Sequence, residues 1–131
     1  MTHVPQKFRD LFEKKAFGHL ATIMPDGQPQ TTPVWIDYDG EHVIVNTTDD
    51  RQKYQNLSEE PRVAISIQDP DDPYRYLEVR GRVSEATDAG ADRHIDRLTQ
   101  RYLEQDRYPF REDGEHRVVV KITPEHFSSK D

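Results

Sequence analysis

The sequence predicts a mainly β protein (α+β), with six antiparallel strands in one small barrel and helices on its rim. Three observations carry this. Two Asp-Gly pairs, Asp26-Gly27 and Asp39-Gly40, each separate alternating apolar runs, the strongest short-range sign of a hairpin. Segments with a period of two outnumber those with a helical period, and they come meander-first. The chain has 131 residues and is 33% hydrophobic, enough for one modest core. One domain, 1–131, is therefore expected.

The elements follow in order. Val4, Phe8, Leu11, Phe12 and Lys15 lie at helical spacing after Pro5, which suits a first helical position, so residues 5–15 read as a helix. Residues 17–24 alternate as a first strand, 30–38 as a second and 41–47 as a third. Pro33 lacks an N–H, so it argues for an edge or a bulge in the second strand. A short helix over 51–58 stops at Pro61. Residues 62–68 form a fourth strand, with Val63, Ile65 and Ile67 on one face. Asp69 to Pro73 is an exposed loop. Residues 74–86 form a long fifth strand with Leu77, Val79, Gly81 and Val83 on one face and Glu78, Arg80 and Arg82 on the other. Mid-strand Gly81 marks a bulge or a close approach of other backbone or ligand. Thr87 or Asp88 caps a second main helix whose buried stripe is Ala91, Ile95, Leu98 and Tyr102. Residues 108–115 are a polar loop, 117–123 the sixth strand, and the tail after Pro124 is loose.

Composition excludes several classes. The formal net charge is -7, which opposes a nucleic-acid or anionic-membrane partner. There are no cysteines, so disulfides, thiolate metal sites and thiol nucleophiles are out. The six histidines share no metal-ligand spacing, and no metal site is assigned. No segment resembles a membrane span or a signal peptide, and a cytoplasmic location is expected. An economical core in a barrel favours a face shared with a second subunit, hence a homodimer.

One stretch stands out for chemistry. Val43-Ile44-Val45 is a strand that breaks into Asn46-Thr47-Thr48-Asp49-Asp50 and resumes as a helix carrying Arg51 and Lys53 in its first turn. A helix start leaves backbone N–H groups unpaired at a positive dipole end. Hydroxyls and cations beside it make a phosphate-sized anion site. The same residues serve equally as an ordinary N-cap with solvated cations. Trp35, the only tryptophan, either walls a flat ligand or fills the core or an interface. No acid–base pair, nucleophile elbow or phosphate loop is present. Proteins so equipped commonly leave the chemistry to a cofactor and supply binding and orientation.

The order of motifs resembles a known family. Gly18-His19-Leu20-Ala21-Thr22, Asp26-Gly27-Gln28-Pro29 and Thr32-Pro33-Val34-Trp35 come first. Asn46-Thr47-Thr48, Arg51-Gln52-Lys53, Asn56-Leu57, Pro61-Arg62-Val63-Ala64 and Tyr76-Leu77-Glu78-Val79-Arg80-Gly81-Arg82-Val83 follow. Together, over about residues 8 to 123, they resemble the split β-barrel flavin and deazaflavin oxidoreductases, the pyridoxamine 5'-phosphate oxidase-like proteins. The strand at Pro33-Val34-Trp35 and the helix start at Arg51, Lys53 and Asn56 look most like the branch that uses the deazaflavin F420. Pyridoxamine-phosphate oxidase itself is longer and ends in a substrate-phosphate motif with Arg and Trp. The tail from Pro124 to Asp131 lacks that motif, so the resemblance does not carry a vitamin-phosphate substrate.

The resemblance implies a homodimeric split barrel with two cofactors at the subunit interface. It implies that Thr47, Thr48, Arg51 and Lys53 hold the cofactor phosphate, with Asn56 in the same helix start. It implies that Pro33, Val34 and Trp35 lie along the tricyclic ring, and that Arg80 and Arg82 come from the other subunit. The expected function is hydride transfer from reduced F420 to a small electron-poor acceptor. FMN in the same site, or a non-catalytic carrier of F420 or flavin, are the alternatives. Residues 69–73 and 106–115 are the loops expected to line the acceptor pocket.

Overall fold

The Asp26-Gly27 turn, with Gly27 at φ 88°, folds Phe17–Ile23 (β1) back on Pro29–Trp35 (β2). The pairing runs from Phe17↔Trp35 to Ile23↔Pro29. The structure, a computed structural model, describes residues 2–131. Chain 29–38 does not stay one strand. It breaks at Ile36, whose N–H donates to the Tyr102 hydroxyl at 3.1 Å and whose carbonyl accepts from Arg101 at 2.6 Å. Asp37–Tyr38 (β3) then leaves β1 and pairs with Val43–Thr48 (β4) across the Asp39-Gly40 turn.

Gln52–Glu59 (α1), Arg62–Asp69 (β5), Asp72–Thr87 (β6), Ala91–Leu103 (α2) and Arg117–Lys130 (β7) complete the chain. The sheet is antiparallel in the order β2-β1-β5-β6-β7-β4-β3. Its two outer strands are consecutive in the chain, so the curled sheet closes through Ile36 rather than through hydrogen bonds. This is the predicted barrel, split along one seam. Six expected strands become seven because the second divides. β2 is an edge strand, as Pro33 requires.

The core lies inside the curl. Leu20, Ile36, Ile65, Ile67, Leu77 and Ile122 are fully buried there. The N-terminal segment plugs one end with Phe8 and Leu11, both 0% exposed. Each such side chain contributes about 1.5–3 kcal/mol by leaving water. The helix expected over 5–15 is here a shorter 3-10 helix, Gln6–Phe12. Its apolar residues Phe8 and Leu11 are three apart, the repeat of a 3-10 turn. α2 packs outside the sheet, with Ala91 against Ile44 and Val119.

Three further expectations change. The tail after Pro124 is not loose, because β7 runs on to Lys130 and pairs with β6 as far as Tyr76. Gly81 permits this. The register shifts between Arg80 and Gly81, Gly81 stands opposite Pro124, and a Cβ on Gly81 would lie 2.1 Å from the Thr123 carbonyl oxygen. The expected bulge and close backbone approach are both there. Neither Thr87 nor Asp88 caps α2; Gly90 does, at φ 73°. Loop 69–73 is a tight β5–β6 hairpin, with Asp69 buried against Lys14 and Arg75. No helix among the described residues is long and apolar enough to cross a membrane.

Candidate functional site

The seam makes the site. Extending the β3–β4 register, in which Asp37 faces Ile44, would set Trp35 against Asn46, Val34 against Thr47 and Pro33 against Thr48. Those pairs do not form, because β2 pairs with β1 alone while β4 continues with β7. Pro33 has no N–H to give such a ladder. The six residues instead line a cleft of about 230 Å³, with Phe17, Arg51, Lys53, Ile95, Tyr108, Phe110 and Arg117.

One end of the cleft is cationic. α1 begins at Arg51, whose backbone is extended (φ -79°, ψ 145°) and whose side chain does not cap it. The amides of Tyr54 and Gln55 both bond to the Arg51 carbonyl, at 3.1 and 3.2 Å. Those of Gln52 and Lys53 have no partner among the described residues. The Thr48 hydroxyl, a potential cap, donates instead to Asp50 at 2.6 Å and thereby holds that carboxyl below its ordinary value. Neither Arg51 nor Lys53 is in an ion pair among the described residues. Burial, and then the nearby Arg51, push the Lys53 amine below its usual value. Two free N–H groups and two unneutralised cations at a helix start are what an anion needs.

The other wall is aromatic. Trp35 stacks on Tyr102 with centroids 4.9 Å apart and planes 2° apart. Tyr108 meets Trp35 edge-on at 5.9 Å, and Phe110 meets Tyr108 edge-on at 5.6 Å. Phe17 stands against Tyr102 at 5.6 Å. Tyr102 is anchored at depth, its hydroxyl donating to the Ala16 carbonyl at 2.5 Å. Burial raises its phenol above the ordinary value. The row holds planar apolar surface in place at little entropic cost, because each ring is fixed by the next.

Behind the cleft lies a buried polar chain. Arg117, 6% exposed, sits over the Tyr108 ring at 4.5 Å and donates to Glu115 and to Asn46 Oδ1. Asn46 Nδ2 donates to the Ala91 carbonyl at 2.9 Å and to His94 Nδ1 at 3.1 Å. His94 Nε2 then donates to Asp37 at 3.0 Å. Burial pushes the Asp37 carboxyl up, but His94, the Tyr38 amide and Arg97 outweigh it and hold it well below the usual carboxylate range.

The structure brings Pro33, Val34, Trp35, Thr47, Thr48, Arg51 and Lys53 to one cleft. It puts Asn56 elsewhere. That side chain is 2% exposed and its amide is spent on Thr22 at 3.0 Å and on Gln30 at 3.3 Å, tying α1 to the hairpin. Arg80 and Arg82 lie on the outer face of β6, beside Glu78 and Glu125, away from this cleft. Loop 69–73 is also remote, whereas Tyr108 and Phe110 bring loop 106–115 to the cleft. Asn46, which opens the polar stretch singled out in the sequence, lines it too. Phe17, Ile95 and Arg117 do so without a signal in the sequence, since strand ends and helix stripes read only as core or surface.

A family model described as pyridoxamine 5'-phosphate oxidase matches residues 4–131. Among solved structures, the chain resembles an F420 reductase at 40% identity and a TM-score of 0.84, covering 95% of this chain and 98% of that one. A conserved hypothetical protein of Mycobacterium tuberculosis is 26% identical with a TM-score of 0.74, over 100% of this chain and 86% of that one. HupZ of Group A Streptococcus, at 20% identity and a TM-score of 0.70 over 96% and 93%, shares the fold.

Proposed function

The chain belongs to the pyridoxamine 5'-phosphate oxidase family, and from that premise we propose that it is an F420-dependent reductase working as a homodimer. One observation carries the proposal. A single cleft joins an unneutralised cationic helix start to a wall of fixed aromatic rings. A phosphorylated tricycle has the matching shape and charge, and likeness to a reductase of that cofactor favours the deazaflavin.

The residues fit such a group. The free amides of Gln52 and Lys53, the side chains of Arg51 and Lys53 and the Thr47 hydroxyl would hold its phosphate. Pro33 to Trp35, on the open edge of β2, would lie along its ring. When bound in its reduced form, F420 would supply hydride to an electron-poor small acceptor and leave as the oxidised deazaflavin. The chain positions the ring, excludes water with Tyr108 and Phe110, and gathers no acid–base pair of its own in the cleft.

A cleft of about 230 Å³ falls short of the roughly 300–1,000 Å³ that buries a ligand of this size. A second protomer is proposed to supply the missing wall. Arg80 and Arg82 border the apolar outer surface of Ala21, Ile23 and Ala64, and they reach a cleft only from another copy.

Titrating purified apoprotein with F420 and with FMN, followed by fluorescence and co-elution, tests the cofactor. Tight binding of F420 and not FMN is expected. FMN binding alone would move the assignment to a flavin, and binding of neither would end it. Single-turnover oxidation of the bound reduced cofactor by a panel of acceptors separates a reductase from a carrier. Sedimentation at micromolar concentration should give twice the 15.4 kDa of one chain. A species of 15.4 kDa alone would remove the shared site.

A further inference from the structure

His94 belongs to none of the walls of the cleft, yet it bonds to Asn46, which lines it. Asn46 is the link. Its amide makes three bonds, two as donor to the Ala91 carbonyl and His94 Nδ1, and one as acceptor from Arg117 Nη1 at 3.1 Å. That set fixes which side of the amide carries the oxygen. His94 Nδ1 must accept, so Nε2 carries the hydrogen, and Asp37 receives it at 3.0 Å. Asp37 is in turn held by Arg97 at 2.6 Å, by Arg101 at 3.2 Å and by the Tyr38 amide at 2.9 Å. The chain thus runs from α2 and β3 through the sheet to a cation that lines the cleft.

His94 is 9% exposed and Asp37 7%. Burying an imidazole and a carboxylate is expensive unless each polar atom is matched. An apolar pair would serve packing alone at least as well.

We propose that His94 is a positioning residue: through Asn46 it fixes the Arg117 guanidinium, and so sets how the cleft holds an anion. The inference rests on the cleft being an anion site and deepens the function proposed above. Without the His94 acceptor, Ala91 is the one group besides Arg117 itself that orients the Asn46 amide. Arg117 Nη1 then loses its fixed acceptor, while Nε and Nη2 stay on Glu115.

The probes are F420, the deazaflavin with its ribityl chain but no phosphate, and inorganic phosphate. Affinities come from fluorescence titration, and phosphate binding from the shift in melting temperature. His94→Leu and Asn46→Ala should each weaken F420 about tenfold, as a misdirected Arg117, which lines the same cleft, gives up one charge-assisted hydrogen bond to the anion. The phosphate-free compound should change by less than about twofold, since it lacks the group being read. The double variant should be no weaker than either single one, because both act on one link. His94→Gln, with one donor and one acceptor, should recover most of the loss; a packing role alone would not be rescued by it.

The proposal is overturned if a folded His94→Leu binds F420 like the wild type, if the two losses multiply, or if both deazaflavins weaken alike. Should His94→Leu not fold, Asn46→Ala against His94→Gln decides: a tenfold loss in the first with near wild-type binding in the second supports the relay, and equal losses sink it. If the wild type binds neither F420 nor FMN, the cofactor assignment fails by itself. The relay is then read with inorganic phosphate, whose thermal shift should vanish in Asn46→Ala and persist in His94→Gln; a shift unchanged in both overturns it.

Discussion

Replacing Lys53 by Met should raise the melting temperature of the apoprotein while weakening its grip on a phosphorylated cofactor. Lys53 is half-buried at the start of α1, and both the burial and the adjacent Arg51 push its amine below its ordinary value of 10.5. The ammonium is therefore worse placed folded than unfolded. A Lys depressed in this way subtracts from stability in full below its lowered folded value, and the penalty fades as pH climbs from there to 10.5 and is gone above it. Met retains most of the stem and removes the charge, so the gain should be present at neutral pH and gone in strong alkali. The affinity change runs the opposite way. A hydrogen bond to a charged group contributes about 1.5–3 kcal/mol, which is roughly tenfold to a hundredfold in dissociation constant. The phosphate-free deazaflavin should hardly respond. The loss should also shrink with added salt, which weakens the wild-type contact. Melting curves and fluorescence titrations on the same preparation measure both quantities. A lower melting temperature with unchanged affinity would make Lys53 a structural residue and refute the anion site.

Gly81→Ala should destabilise by about 1–3 kcal/mol or more, as overpacking does, because the new Cβ would meet the Thr123 carbonyl at 2.1 Å in backbone that cannot swing away; a denaturation midpoint within error of wild type would contradict the bulge. His116 lies between Asp49 at 2.7 Å and Asp88 at 3.0 Å, and these carboxylates raise its value above 6.5. Its contribution is complete below that unfolded value and lost as pH climbs through the raised folded one. His116→Gln should flatten the part of a melting profile that falls as pH rises above 6.5, and an unchanged slope would exclude the clasp. Trp35→Ala should cost affinity for either tricycle by about 1 kcal/mol beyond the area lost. It should also lower the melting temperature, since Tyr102 loses its stacking partner; unchanged affinity in a folded variant would leave Trp35 a packing residue.

Much of the barrel was legible because its signals are local. Asp26-Gly27 and Asp39-Gly40 needed only the positive φ of a glycine, 88° and 97°. Gly81 announced a place where backbone meets backbone. The break at Ile36 left no mark, because its cause is the hydroxyl of Tyr102 and the guanidinium of Arg101, 66 and 65 residues on. Pro124 looked like a terminator, and only its partner Gly81 makes it a bulge. In the cleft, Arg51 and Lys53 were readable from a helix start beside hydroxyls. His94 was not. On helical spacing it falls on the polar side, yet it is buried, and the carboxylate that explains its burial is 57 residues away.

An opening made by strands that decline to pair differs from a hollow left between packed side chains. Filling a hollow with larger residues abolishes it, whereas here the two banks belong to separate ladders, β1–β2 and β4–β7. A change on one bank transmits no register error to the other. Each can therefore drift by itself over evolutionary time while the fold stays intact. Selection for a new acceptor could act on the Phe17 and Trp35 side without first having to re-solve the anion anchor at Arg51 and Lys53.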